Sequence, residues 1–80
     1  MKDQRAATFA QRLQAAIDLR GMSKAELAEK SGVSKSSITH YVKGDWEGKQ
    51  KVVYALSEAL NVSEAWLMGW DVPMGRALLA

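Results

Sequence analysis

The residues best suited to bind another molecule lie in one stretch of this chain, between Gly32 and Gly44. Its polar side chains are ammonium groups, hydroxyls and one imidazole, and no carboxylate occurs over residues 33–44. Short hydroxyls approach a surface closely, and cations attract a polyanion whose edges carry hydrogen-bond donors and acceptors. This chemistry favours recognition of duplex DNA. The side chains expected to face outward are Lys35, Ser36, Thr39, His40 and Lys43.

A helix between Ser34 and Gly44 would position these side chains. Ser34 can cap the first turn, Val33 and Ile38 have the spacing of a hydrophobic staple, and Gly44 supplies a left-handed stop. The bulky apolar residues recur at i, i+3 and i+4, which predicts one buried stripe. That stripe consists of Ile38, Tyr41 and Val42.

Lys35 occupies the first position of this predicted helix, where the macrodipole disfavours a cation. A solvated helix start would rather carry an acid, as the later pair Ser63 and Glu64 does. A lysine is favourable there when a phosphate shares the helix terminus. We therefore predict a DNA contact for Lys35, specifically a bidentate contact with guanine, and the competing interpretation is an idle surface lysine.

Thr39 and His40 leave both interpretations open, because an exposed threonine or histidine on a short helix needs no ligand. Ser36 is a better candidate for a base contact than Ser34, which serves the cap. We discount His40 as a metal ligand or general base, since no nucleophile or carboxylate constellation accompanies it. One histidine and no cysteine cannot build a metal site. We therefore expect no metal, no cofactor, no small-molecule substrate and no enzymatic activity.

The composition bounds the class of protein. Eighty residues form one domain that buries about 60% of its unfolded surface, which leaves little room for an enclosed active site. Eleven basic and nine acidic residues give a net charge of only +2. Lys49 and Lys51 nevertheless follow soon after the basic, acid-free segment that ends at Gly44. For each of these lysines, the competing interpretation is an ordinary solvated surface charge. The sequence contains no evident signal peptide and no apolar run of membrane-spanning length. We predict a soluble, cytoplasmic protein associated with the nucleoid.

The last residue of helix 1 is predicted to be Arg20, and Gly21 is predicted to be the left-handed residue that terminates it. Its start is open, because Asp3 can cap it, and so can a capping box formed by Thr8 and Gln11.

Helix 2 is predicted to begin at a capping box of Ser23 and Glu26 and to run to about Ser31. Gly32 lies in the turn of about four residues that leads to the next helix, which is the spacing of a helix-turn-helix pair.

After a loop over residues 45–49, a broad apolar face predicts a fourth helix that stops at Asn61. Ser63 caps a short fifth helix that ends at Gly69. The sequence therefore predicts an all-α, five-helix domain.

These segments resemble the Cro/CI-type (XRE-like) helix-turn-helix repressors of phages and bacteria over residues 13–74. Residues 62–74 resemble the boundary at which the DNA-binding domain of Gram-positive prophage repressors meets a C-terminal region. The resemblance implies a lambda-repressor-like fold and a repressor that occupies an operator. The segments that carry it are residues 22–28, 31–38, 59–62, Tyr41 and Gly44.

The resemblance also implies roles, residue by residue. Base edges in the major groove would be contacted by Lys35, Ser36, Thr39 and His40. Phosphates would be contacted by Lys24, Ser37, Lys43, Lys49 and Lys51. Many relatives have glutamine where Lys24 stands, and the early positions of the reading helix vary among them. The operator sequence therefore does not transfer.

We assign residues 1–70 to the DNA-binding domain and residues 71–80 to a tail or truncated linker. Trp66 is expected in the core, whereas Trp46 and Trp70 are expected to be partly exposed. We predict a homodimer formed through helix 5 and the tail, with Trp66 and Trp70 as candidate contacts. The alternative is a protein-binding module, such as an antitoxin-like protein or an anti-repressor partner. The three tryptophans and the apolar residues 77–80 give this alternative weak support.

Overall fold

The computed structural model describes residues 6–75 of the chain. Within that range the chain forms five α-helices, which confirms the all-α prediction. Their bounds are α1 (Phe9–Arg20), α2 (Lys24–Ser31), α3 (Lys35–Lys43), α4 (Gln50–Leu60) and α5 (Glu64–Leu67). The alternative start at Asp3 and the apolar residues 77–80 lie outside the described residues.

The start of α1 is the capping box of Thr8 and Gln11. The Gln11 N–H donates to the Thr8 hydroxyl at 3.1 Å, and the Thr8 N–H donates to the Gln11 side-chain oxygen at 3.0 Å. Serine hydroxyls cap α2, α3 and α5 in the same way, each accepting the N–H three residues on. At α2 the Glu26 N–H donates to the Ser23 hydroxyl. This is the serine half of the predicted capping box. These local bonds fix where each helix begins.

The five helices share one apolar core. Ile38 and Tyr41 anchor α3 in it, as predicted, whereas Val42 packs at its edge. Because α3 is held by this inward stripe, its opposite side remains available to a partner. The large apolar side chains that are fully buried are Leu13, Leu27, Ile38, Leu56, Leu60, Val62 and Leu67.

Gly48 lets the loop over residues 45–49 lie directly on α1. A Cβ atom at this position would lie 2.7 Å from Cε2 of Phe9, closer than van der Waals contact allows. The loop then leads into α4, whose N-cap residue Lys49 makes no side-chain cap bond. Asn61 ends α4 with a left-handed φ of 57°, as the sequence predicts.

Two arginines of α1 fix the C-terminal half of the domain. Arg20 donates from Nε to the Leu60 carbonyl at 2.8 Å and from a terminal nitrogen to the Asn61 carbonyl at 3.0 Å. Arg12 donates to the Trp66 carbonyl at 2.9 Å, and its guanidinium lies 4.6 Å from the centre of the Trp66 ring. These cations satisfy carbonyl groups at the ends of α4 and α5.

The segment after α5 folds back onto the domain. The Met74 carbonyl accepts the Ser63 N–H at 2.8 Å, and the Met74 side chain packs against the core. The predicted domain boundary after residue 70 stays a prediction. Over residues 6–75, no helix has the length and apolar character needed to cross a bilayer.

Candidate nucleic-acid interface

The first turn of α3 is a cluster of hydroxyls beside Lys35. Ser34 accepts the Ser37 N–H at 3.2 Å and also donates to the Ser37 hydroxyl at 2.9 Å. The Ser36 hydroxyl lies 3.5 Å from that of Ser34. Lys35 is the first helical residue and is exposed, as predicted. A cation and several polar hydrogens therefore converge at one helix terminus.

The outward side of α3 forms one continuous polar face. At about 100° per residue, the five predicted outward positions span an arc of about 140° around the helix axis. The buried stripe of Ile38, Tyr41 and the half-buried Val42 occupies the opposite arc. Ser37 lies between the two arcs and is half-buried. We call the outward arc the α3 face, and its residues are Lys35, Ser36, Thr39, His40 and Lys43.

Two hydroxyls of α3 are partly committed to the protein itself. The Thr39 hydroxyl donates to the Lys35 carbonyl at 3.1 Å, so its proton is used within the helix. Thr39 then offers a partner its methyl group and its remaining oxygen lone pair. The Ser37 hydroxyl accepts from Ser34, which leaves its own proton to donate.

His40 has a carboxylate partner, contrary to the sequence-based expectation. Its Nδ1 lies 3.2 Å from an Asp45 carboxylate oxygen, and its ring stacks on Trp46 with centroids 4.3 Å apart. The sequence signal was present in the Gly44 stop. A glycine of this kind produces a Schellman motif, in which the residue after Gly44 returns to the position of His40. The bonds of that motif run from Gly44 N–H to the Tyr41 carbonyl and from Asp45 N–H to the His40 carbonyl.

The His40–Asp45 pair is a contact between two side chains at the protein surface. Within residues 6–75, no three histidine, cysteine, aspartate or glutamate side chains come together as metal ligands. The His40 and Asp45 side chains are 41% and 50% exposed, so water reaches both. The contact with Asp45 orients the His40 imidazole on the α3 face.

The remaining predicted site lysines lie at helix ends. Lys24 is the first residue of α2 and is half-buried, whereas Lys43 is the last residue of α3 and is exposed. Lys49 and Lys51 flank the start of α4 and are exposed. Within residues 6–75, the structure shows no ion pair between any of these lysines, or Lys35, and an acidic side chain. Their charges are therefore not neutralised by acids within that range.

The class of protein follows from the order of these elements. Two short capped helices, α2 and α3, are joined by a turn at Gly32 with a left-handed φ of 79°, and the second helix presents an acid-free polar face. Residues 13–67, more than half of the chain, match the family model described as Helix-turn-helix (HTH_3). The chain belongs to this helix-turn-helix family.

Solved structures agree with this assignment. The restriction-modification controller protein C.AhdI from Aeromonas hydrophila is 27% identical, with a TM-score of 0.70, over 74% of this chain and 89% of its own. The P22 c2 repressor, solved in complex with the synthetic operator 9T, is 26% identical, with a TM-score of 0.75, over 81% of this chain and 98% of its own. These neighbours confirm the Cro/CI-type resemblance and the lambda-repressor-like fold.

The SOS-response repressor LexA from Eubacterium rectale shares the fold. It is 23% identical, with a TM-score of 0.72, over 100% of this chain and 92% of its own. A search of curated protein sequences gives no match. The family and the fold are those of DNA-binding regulators rather than enzymes.

Proposed function

We propose that this protein is a sequence-specific transcriptional repressor that binds double-stranded DNA by inserting α3 into the major groove. The observation that carries the proposal is the α3 face, an acid-free arc of cations, hydroxyls and one imidazole on the second helix of a helix-turn-helix. Donors and acceptors of these types read base edges, and an α-helix fits the width of the major groove. The operator complex of the similar P22 c2 repressor supports this function.

The proposed contacts divide into those that read sequence and those that position the domain. Lys35, at the exposed helix start, is the proposed bidentate partner of a guanine. Ser36, Thr39 and His40 complete the base-reading set, with Thr39 contributing its methyl group to a thymine methyl contact. The proposed phosphate contacts are Lys24, Ser37, Lys43, Lys49 and Lys51.

We further propose that two copies bind a symmetric operator. Trp70 and Val72, just beyond α5, are 41% and 39% exposed, and exposed aromatic residues are enriched in protein interfaces. Trp66 is a weaker candidate for this contact, because the Arg12 guanidinium covers its ring. A dimer would present its two α3 helices about 34 Å apart, one turn of B-DNA.

The same exposed surface favours the second candidate function, a protein-binding module on the helix-turn-helix scaffold. The two functions differ in their dependence on salt. Phosphate contacts release counterions, so the logarithm of the DNA affinity falls by about 0.9 per contact for each tenfold increase in salt. A module that docks on a protein through Trp70 would bind DNA weakly or not at all.

Selection of binding sites from random duplex DNA at near-physiological salt tests the proposal. We expect enrichment of a two-fold symmetric site, with half-sites about ten base pairs apart. Enrichment of a single half-site would retain the DNA-reading function and refute the dimer. The absence of any enrichment by a folded sample would refute the repressor function and favour the protein-binding module.

A further inference from the structure

The cap at the end of α3 places the backbone of Asp45 beside that of His40. Asp45 N–H donates to the His40 carbonyl at 3.0 Å, which brings the two side chains together across Gly44. His40 Nδ1 then lies 3.2 Å from the carboxylate. An ionised carboxylate can only accept a hydrogen bond, so the proton in this contact belongs to Nδ1.

The plane of the imidazole is fixed by a series of aromatic contacts. The His40 ring stacks on Trp46 with an interplanar angle of 15°. Trp46 in turn packs edge-on against Tyr41 at 5.6 Å, and Tyr41 packs edge-on against Phe9 at 5.8 Å. Phe9 and Tyr41 belong to the buried core. The orientation of His40 is therefore built into the domain before any DNA is bound.

A neutral imidazole carries one proton, so the nitrogen opposite Nδ1 must accept. Within residues 6–75 the structure records no hydrogen-bond partner for His40 Nε2. In the major groove, adenine N6 and cytosine N4 are donors, whereas the corresponding groups of guanine and thymine are acceptors.

We propose that Asp45 is a specificity-determining positioning residue. It holds His40 in the Nδ1–H tautomer, so that Nε2 accepts a hydrogen bond and α3 selects adenine or cytosine at the base that His40 faces. This inference rests on the proposed insertion of α3 into the major groove. It gives Asp45, an acid at the end of an otherwise acid-free segment, a role in reading DNA without touching it.

The tautomer can be measured without DNA. Because the chain contains a single histidine, long-range proton–nitrogen NMR spectra report His40 alone. The spectra are recorded at about pH 8.5. We expect the Nδ1–H form in the wild-type protein and a shift towards Nε2–H in Asp45→Ala.

Glu47→Ala is the matched control. Glu47 lies in the same loop as Asp45, is exposed, and has no recorded contact with His40. Its replacement by alanine removes the same negative charge as Asp45→Ala does. We expect it to retain the Nδ1–H form. Asp45 is half-exposed, and its cap bond uses the backbone, so both variants are expected to fold, which thermal unfolding verifies. An Nε2–H wild type, or an unchanged tautomer in Asp45→Ala, would overturn the inference.

Binding-site selection with the same three proteins at the same pH measures the consequence. We expect Asp45→Ala to shift one position per half-site from adenine or cytosine towards guanine or thymine by about fivefold or more, with the other positions unchanged. Glu47→Ala is expected to select the wild-type site. If the wild type enriches an operator and Asp45→Ala enriches the same one, the inference fails alone. If the wild type enriches nothing although its tautomer is as expected, the DNA-reading function fails and the base preference with it.

Discussion

Lys35 and Lys43 are the same residue type at opposite ends of α3, and this symmetry permits a sharp prediction. Lys35 is the first helical residue and Lys43 is the last. The N-terminus carries a partial positive charge of about half a unit, and the C-terminus carries the corresponding negative charge. At the α3 start, the N–H groups of Lys35 and Ser36 have no recorded acceptor within residues 6–75. The dipole therefore opposes Lys35 and favours Lys43.

Replacing each lysine by alanine should change stability in opposite directions. Each exposed charge contributes about 0.3 to 1 kcal/mol through the dipole, so the two variants should differ by about 0.6 to 2 kcal/mol in free energy of unfolding. The intrinsic helix propensity gained on replacing lysine with alanine is similar in both and largely cancels in this difference. For a domain of this size, Lys35→Ala should raise Tm by about 2 to 6 °C and Lys43→Ala should lower it.

Both variants should nevertheless bind DNA less tightly. Lys35→Ala loses a proposed base contact worth about 1 to 3 kcal/mol, or about 5- to 150-fold in affinity for the best site. Lys43→Ala loses a proposed phosphate contact and should weaken all duplexes alike. Thermal unfolding at low salt and binding to selected and random duplexes measure the two effects. If Lys35→Ala were as destabilising as Lys43→Ala, the reasoning from the helix terminus would be refuted.

Three further variants and one control variant test the cap, the loop and the proposed dimer. Ser34→Ala should lower the free energy of unfolding by about 1 kcal/mol, because the first turn of α3 loses its cap, and an unchanged value in a denaturant titration would contradict this. Gly48→Ala should cost about 1 to 3 kcal/mol because its Cβ would lie 2.7 Å from Phe9, whereas Gly75→Ala, with nothing within 4 Å, should be near neutral. Trp70→Ser should weaken self-association in sedimentation measurements while leaving the fold intact, and an unchanged association constant would exclude Trp70 from the interface.

The helices could be predicted from the sequence because their boundaries are set locally. Serine caps, glycine stops and apolar spacing act within one or two turns, and α2, α3 and α5 begin where those signals indicate. The start of α1 was left open between Asp3 and Thr8, because aspartate and threonine are both common N-cap residues. The contacts of Arg12 and Arg20 could not be predicted either, because they join residues 54 and 40 positions apart without any local pattern.

The α3 face was predictable as a set, but its internal bonds were only partly so. The outward arc follows from helical periodicity alone. The bond from Thr39 to the Lys35 carbonyl is a common alternative for a helical threonine, and the sequence does not decide whether it forms. The approach of Asp45 to His40 follows from the Schellman motif that Gly44 predicts. The contact between the two residues could therefore have been predicted from the sequence.

The most direct test of the central claim is a titration of nitrogen-15-labelled protein with the selected duplex, followed through the backbone amide signals. If α3 reads DNA, the largest shifts will fall over residues 34–43, with further changes at Lys24 and over residues 49–51. A random duplex of the same length should give smaller changes over α3 at the same salt concentration. Shifts concentrated over residues 64–74, with α3 unaffected, would contradict the account.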